Sequence, residues 1–383
     1  MHEMFKGLGA QVPIFAFSHC RDVVVEVSKA GGIGIYGASL HSDEQIAEDL
    51  RWIERQLGDL PYGVDLMMPA KYTGSEQGGL AKKELDRAVP REYIDFLDRM
   101  MAKYDVPSHQ GWDNPDHDRH AYRQRYTAKE SEGILRTVFE FRPRILVSAL
   151  GSPPPEVIAE AHGRSMLIGA LAGKPAHALK HKAAGVDFVV AQSYEAGGHT
   201  GEIGGMVLTP LIVDAIAPMP VLAAGGIATG RQMAAALALG ASGVWCGTVW
   251  LTTRESECSP VMREKLVNAS TDDTVRTRCF TGKPARFYRS AWVDEWESDG
   301  APPLLPNPLH SAATDRYIER IDIAAGRPAA TPTKGAGLLA SKPAGQVVGL
   351  IKSETTCRQV IAEMLSDCID ALGHISHELD LEA

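Results

Sequence analysis

The chain has 383 residues, of which 44% are hydrophobic and 23% charged, and its formal net charge is -9. These proportions are those of ordinary globular proteins and exclude a disordered or membrane-embedded chain, while an acidic balance without a long Lys/Arg run argues against nucleic acid as a partner. No stretch approaches the roughly 20 apolar residues that span a bilayer, and the first residues lack a basic run followed by an apolar one, so no membrane partner and a cytoplasmic location are expected.

Eight short runs rich in Val, Ile and Leu alternate with amphipathic stretches at helical spacing, the pattern of parallel strands buried by crossover helices. They fall at 13–17, 33–36, 62–67, 144–150, 165–170, 187–192, 221–224 and 243–246. Between them, Ser42 with Gln45 three residues later opens a helix over 42–57, and Gly240 closes another over 231–239. This succession predicts an α/β fold, a (β/α)8 barrel of the TIM type. About 75 residues separate the third run from the fourth, far more than one barrel unit needs, which marks an insertion over 71–130. Its first part, 80–104, reads as helical, and 106–126 is polar, aromatic and rich in His and Asp. Emerging after a strand, the insertion is expected as a lid on the C-terminal face of the barrel.

Beyond the eighth run, 251–268 reads as helical, 299–308 as proline-rich and irregular, and 346–372 as an amphipathic helix entered through the Gly/Pro-rich 331–345. The expected division is a barrel over 1–70 and 131–252, a smaller, mostly helical substrate-side domain over 253–343, and a C-terminal helix over 344–383 packing on the barrel. Six cysteines, at 20, 246, 258, 279, 357 and 368, are scattered without a CxxC pair. They are expected to be reduced thiols, neither a zinc site nor a disulfide framework.

Two loops point to chemistry. The seventh run ends in Ala224-Gly225-Gly226-Ile227 and the eighth in Cys246-Gly247-Thr248. In α/β barrels these two loops commonly form a phosphate site, because glycines let backbone N–H groups approach the oxygens. The competing reading, glycines that merely permit tight turns, carries less weight for a paired occurrence. The sixth run leads into Gln192-Ser193-Tyr194-Glu195-Ala196-Gly197-Gly198-His199, a histidine in a glycine-rich loop beside a carboxylate. An imidazole titrating near neutral pH suits proton transfer at carbon next to an electron-withdrawing group.

Other features favour plainer readings. His109, Asp113, Asp116, His117, Asp118 and His120 could be called a metal cluster, but none has the helix-spaced HxxxH arrangement, so a solvated loop and no metal are expected. Lys283, Arg286 and Arg289 read equally as a phosphate-binding patch or a solvated loop. Trp292 and Trp296 read as core. The GxGxxG spacing of Gly32, Gly34 and Gly37 lies within a strand and not after one, and fails as a dinucleotide fingerprint.

The segment AQSYEAGGHTG (191–201), together with AAGGIATG (223–230), GVWCGT (243–248) and VSKAGGIGIYG (27–37), resembles the nitronate monooxygenase family, formerly the 2-nitropropane dioxygenases. The resemblance continues in FTGKPARFYRS (280–290) and AGQVVGLI (344–351), leaving chiefly 71–130 uncovered. It implies a barrel binding FMN non-covalently under a helical domain. By position, Gln192 and Gly197 would touch the isoalloxazine or ribityl region. Gly225, Gly226, Gly247 and Thr248 would hold the phosphate, with Ala16, Phe17, Asp65, Gly198 and Cys246 also bordering the cofactor. His199 falls on the family's catalytic histidine, which handles the proton of a nitroalkane or nitronate oxidised at the expense of O2. Two positions depart from the family pattern. Phe15-Ala16-Phe17-Ser18-His19 replaces its QAPM-like first-strand ending, and Asp65 replaces the usual asparagine, exchanging an amide donor for an acceptor expected to be negative at neutral pH.

One rival reading is an NAD(P)H-dependent flavin reductase of an enoyl or acyl thioester, on coenzyme A or acyl carrier protein, or of a quinone. It shares the EAGGH-type loop, and the insertion and the basic loop would suit a bulky phosphorylated partner. A third is a flavin-binding protein without catalysis, against which the co-occurrence of His199 and both glycine loops weighs. Nothing in the sequence fixes the oligomeric state, and a homo-oligomer is compatible with it.

Overall fold

A computed structural model of the chain describes residues 2–68, 82–107, 128–326 and 334–379. Eight parallel strands close into a barrel. They are β1 (Ile14–Ser18), β2 (Ile33–Gly37), β3 (Tyr62–Leu66), β4 (Ile145–Ser148), β5 (Leu167–Ala172), β6 (Phe188–Gln192), β8 (Val221–Ala224) and β9 (Gly243–Cys246), with β9 returning to β1. Each predicted run supplies one strand. The remaining strands, β7 (Gly198–His199), β10 (Thr274–Thr277) and β11 (Ala285–Tyr288), form a separate antiparallel sheet in the order β10-β11-β7.

Alternation along the barrel strands separates two layers. Phe15, Ile33, Ile35, Ile145, Val147, Phe188, Val190, Leu222, Ala224 and Trp245 fill the lumen. Phe5 of the helix Glu3–Lys6 closes its lower end, edge-on to Phe15 at 4.8 Å and to Phe188 at 5.6 Å between ring centroids. The lumen is therefore a packed core open to chemistry only at the C-terminal ends of the strands. The intervening positions, such as Val64, Leu66, Val189 and Ala191, face the surrounding helices.

Helix boundaries follow local chemistry. Ser42 caps Asp43–Leu57 by accepting from the Gln45 N–H, and Thr229 with Gln232 forms a capping box on Gly230–Ala238. Of the stretch expected to be helical over 80–104, the described residues form two helices, Lys82–Ala88 and Arg91–Lys103, divided at Pro90, since the residue before a proline is pushed out of the helical region. Of 251–268, only Pro260–Asn268 is α-helical, started by the Ser259 cap. The C-terminal helix begins later than its pattern suggests, at Cys357, where the Thr356 hydroxyl caps it, and runs to Glu378. Its Val360, Ile361, Met364 and Cys368 pack with Met233 and Ala234 on the outside of the barrel. The six cysteines are free and buried.

The second core lies beside the barrel mouth. Trp292, Trp296, Tyr317, Phe280 and Phe287 form it together with Tyr93, Phe96, Leu97 and Met100 from the insertion. The described part of the insertion is fastened to this core. The Tyr93 hydroxyl donates to the Pro303 carbonyl at 2.6 Å, the Tyr317 hydroxyl to Asp98 at 2.8 Å, and Arg320 to the carbonyls of Val106 and Pro107. Helix Ala128–Phe139 is the crossover that returns the chain to β4, its Ile134 and Val138 joining the outer barrel layer. The cluster from His109 to His120 lies outside the described residues. Among those described, no helix is long and apolar enough to cross a membrane.

Candidate active site

At the top of the lumen the strands present Phe17, Gly37, Asp65, Leu171, Gln192, Ala224 and Trp245. Trp245, which sequence reasoning passed over, lies nearly parallel to Phe17 with 6.1 Å between ring centroids and builds an apolar wall. Asp65 and Gln192 are the polar members of this layer. Ala16 and Cys246, expected beside the cofactor, are register partners whose side chains belong to the outer cluster between barrel and helices, so only their backbone can border the mouth.

The two glycine loops stand side by side. Gly225 and Gly226 adopt φ of +94° and +73°, which L side chains rarely tolerate, and a Cβ on Gly225 would come within 2.4 Å of the Ser193 hydroxyl. Gly247 opens on free space where its Cβ would point. Among the described residues no acceptor faces the N–H groups of Gly226, Ile227, Thr248 and Val249, and the buried Ser193 Oγ has no partner. Unfilled donors on two adjacent loops suit a multivalent anion such as a phosphate. The Thr248 hydroxyl accepts the Gly345 N–H at 2.9 Å and retains its own proton to give.

A strap formed by Ala344, Gly345 and Gln346 crosses between these loops. The Gln346 N–H donates to the Glu195 carbonyl at 3.0 Å. A Cβ on Gly197 would lie 2.9 Å from the Ala344 carbonyl carbon and the Gly345 nitrogen, so close approach of backbone to backbone accounts for this glycine. Glu195 does not partner His199. Its carboxylate oxygens both take the Gly205 N–H at 3.1 Å, at the start of helix Gly205–Ile216, where the helix dipole favours an anion.

His199 is set by β7, where it pairs with Ala285 while Gly198 pairs with Arg286. Its Nδ1 lies 3.2 Å from the Pro284 carbonyl, an acceptor only, so Nδ1 carries the proton and Nε2 is left with a lone pair. The ring can be reached from solvent, yet the protein packed around it disfavours the charged form, and Lys283 adds to this. Together they outweigh the Pro284 hydrogen bond and hold the imidazole below its ordinary titration range. The result is a neutral base at neutral pH.

Asp65 requires a correction. It is 4% exposed, and burial alone lifts its carboxyl to about 8, so at neutral pH it is protonated rather than negative. The basic trio is not brought together either. Arg289 is paired with Asp294 at 2.7 Å and Glu297 at 2.8 Å, Lys283 stands near His199, and Arg286 is buried with its guanidinium 4.6 Å from the Tyr194 ring centroid. Trp292 and Trp296 are core, as expected. His19 was noted in the sequence only as part of the departing first-strand ending, without a role of its own. Seated over Gly37, it donates from Nδ1 to the Gly37 carbonyl at 2.6 Å, and desolvation, with His41 nearby, lowers it to about 4. Its position directly after a barrel strand was the available signal.

The family model described as nitronate monooxygenase matches residues 16–367. A putative monooxygenase of Mycobacterium tuberculosis is 47% identical over 368 residues, covering 96% of each chain. A probable nitronate monooxygenase of Staphylococcus haemolyticus is 28% identical over 80% of this chain and 84% of its own. Among solved structures, a nitroalkane oxidase from Streptomyces ansochromogenes superposes with a TM-score of 0.78 at 24% identity, covering 97% of this chain and 100% of that one. FabK from Thermotoga maritima does so with a TM-score of 0.69 at 23% identity, covering 99% of both. At such identities these two likenesses speak for the fold.

Proposed function

The chain belongs to the nitronate monooxygenase family and is an oxidoreductase, and from that premise we propose that it binds FMN and oxidises alkyl nitronates with O2, His199 handling the proton. The observation that carries this reading is the His199 imidazole, held neutral with Nδ1–H committed to Pro284 and Nε2 unprotonated. The residues at the mouth fit FMN. The N–H groups of the two glycine loops and the Thr248 and Ser193 hydroxyls would receive the phosphate, and the Phe17–Trp245 wall with Gln192 and Asp65 would border the ring system. When bound, FMN supplies electron acceptance from the substrate and reaction of its reduced form with O2.

The protein's own contributions are steric and protolytic. The strap at 344–346 and the sheet β10-β11-β7 hold the His199 loop against the mouth. Nε2 takes a proton from the carbon next to a nitro group, or orients the anion once formed, and the developing imidazolium is steadied by its Nδ1–H bond to Pro284. His199→Asn should retain FMN and lose turnover by about 10²- to 10⁴-fold, the usual worth of a positioned base. Unchanged turnover would remove His199 from the mechanism.

The thioester or quinone reductase reading, with NAD(P)H as reductant, drew its distinctive support from the insertion and the basic loop. Arg286 and Arg289 of that loop are engaged with Tyr194 and with carboxylates, which weakens the second of these supports. A flavin-binding protein without catalysis would have no use for a neutral, oriented imidazole at the mouth.

A further inference from the structure

Among the described residues, the lumen layer at the barrel mouth contains one ionisable side chain without a protein partner. Asp65 sits between its register partners Gly37 on β2 and Val147 on β4, and the following Leu66 turns outward into the helix layer. Its Oδ2 is buried with no hydrogen-bond partner. The titratable groups around it are directed elsewhere. On β2, the Tyr36 hydroxyl donates to Asp49. β4 carries no titratable side chain. His19, from the end of β1, gives its Nδ1–H to Gly37, and His41 stacks on Tyr36 with 5.4 Å between centroids. The lumen neighbours Phe17, Gln192 and Trp245 are uncharged. No charged neighbour perturbs the carboxyl, and burial is the sole cause of its displacement to about 8.

A carboxylate here would be a buried charge without compensation, which proteins avoid by keeping the group protonated. A protonated carboxyl in turn needs an acceptor for its O–H, and none stands among the described residues. The acceptor is therefore to be sought on a ligand. We propose that Asp65 is a neutral carboxylic acid that donates its O–H to an acceptor atom of the flavin ring system, an assignment that rests on the FMN reading above. A protonated carboxyl offers one donor and one acceptor, the same pair an amide would present here, whereas the ionised form can only accept. A contact of this kind is made at neutral pH and is titratable.

This has a consequence for binding. Below the titration of Asp65 the affinity for FMN is indifferent to it. Above it, binding must pay for re-protonation and weakens by up to about tenfold per pH unit. The test measures FMN affinity of the flavin-stripped protein from about pH 6 to about pH 10 for the wild type and Asp65→Asn, the titration of FMN itself being common to both. Isotope-edited infrared spectra of aspartate-labelled protein, with and without FMN at neutral pH, report the carboxyl directly. The expected result is an alkaline loss of affinity in the wild type that is absent in Asp65→Asn, with a protonated-carboxyl band that the variant lacks and that shifts when FMN binds. FMN binding with parallel pH profiles, or with no such band at neutral pH, overturns the assignment of Asp65 alone. Failure of both proteins to bind FMN overturns the flavin reading and this assignment with it.

Discussion

Two side chains at the barrel mouth are held neutral by the protein around them. His199 is neutral because enclosure depresses its titration, so its active form prevails above a pKa lying below the ordinary 6.5 and is lost as pH falls through it. The pH profile of kcat/KM should therefore stay level from neutral pH to below about 6.5 before declining, and a fall beginning above neutrality would contradict the assignment. Asp65 works in the other direction. Its folded-state value of about 8 lies above the ordinary 3.8, so the folded state holds a proton that the unfolded chain releases between these values. Without flavin, the protein should lose stability as pH rises from about 4 to about 8, and Asp65→Asn should remove that contribution. Denaturant midpoints of the two proteins across that range check it. The sequence disclosed the residue type at position 65 and its departure from the family pattern, but not its charge, which depends on burial by strands remote in the chain.

The element that orients His199 is the sheet β10-β11-β7, which sequence reading placed in a mostly helical region. The signal was present in Thr274-Val275-Arg276-Thr277 and Ala285-Arg286-Phe287-Tyr288, where polar and apolar residues alternate, but two four-residue runs are too short to be told from loop by pattern alone. Arg286 is the rivet. It is 3% exposed, pairs in register with Gly198, and donates through Nη2 to the Tyr194 carbonyl at 3.2 Å while lying over the Tyr194 ring. Replacing it by methionine leaves that carbonyl without its donor and removes the cation–π contact, a loss of roughly 2–4 kcal/mol. Thermal unfolding of Arg286→Met should show this as a lowered Tm, accompanied by a fall in kcat because the His199 loop loses its anchor. A variant with wild-type stability would mean that the guanidinium only fills space.

At the scale of the molecule, the barrel was legible because parallel strands buried on both faces leave continuous apolar runs, and all eight declared themselves. The second core was not, because its parts come from separated segments. Tyr93 and Phe96 from the insertion meet Trp292 and Trp296 only in the fold, so the anchoring of 82–107 on this core could not be read from the sequence. A mouth lined by unfilled N–H donors implies that cofactor and fold are linked. FMN at 100 times its Kd should stabilise the protein by about 2.7 kcal/mol, visible as a rise in Tm that disappears when the flavin is removed. The central claim, a flavin oxidoreductase whose proton is managed by His199, is tested most directly by anaerobic mixing of the FMN-loaded protein with 2-nitropropane, whose carbon still bears the proton that Nε2 takes, while the flavin absorbance is followed. The account predicts rapid bleaching in the wild type and bleaching slower by at least about 100-fold in His199→Asn, with FMN still bound. Equal rates in the two proteins, or no bleaching of the wild type, would contradict it.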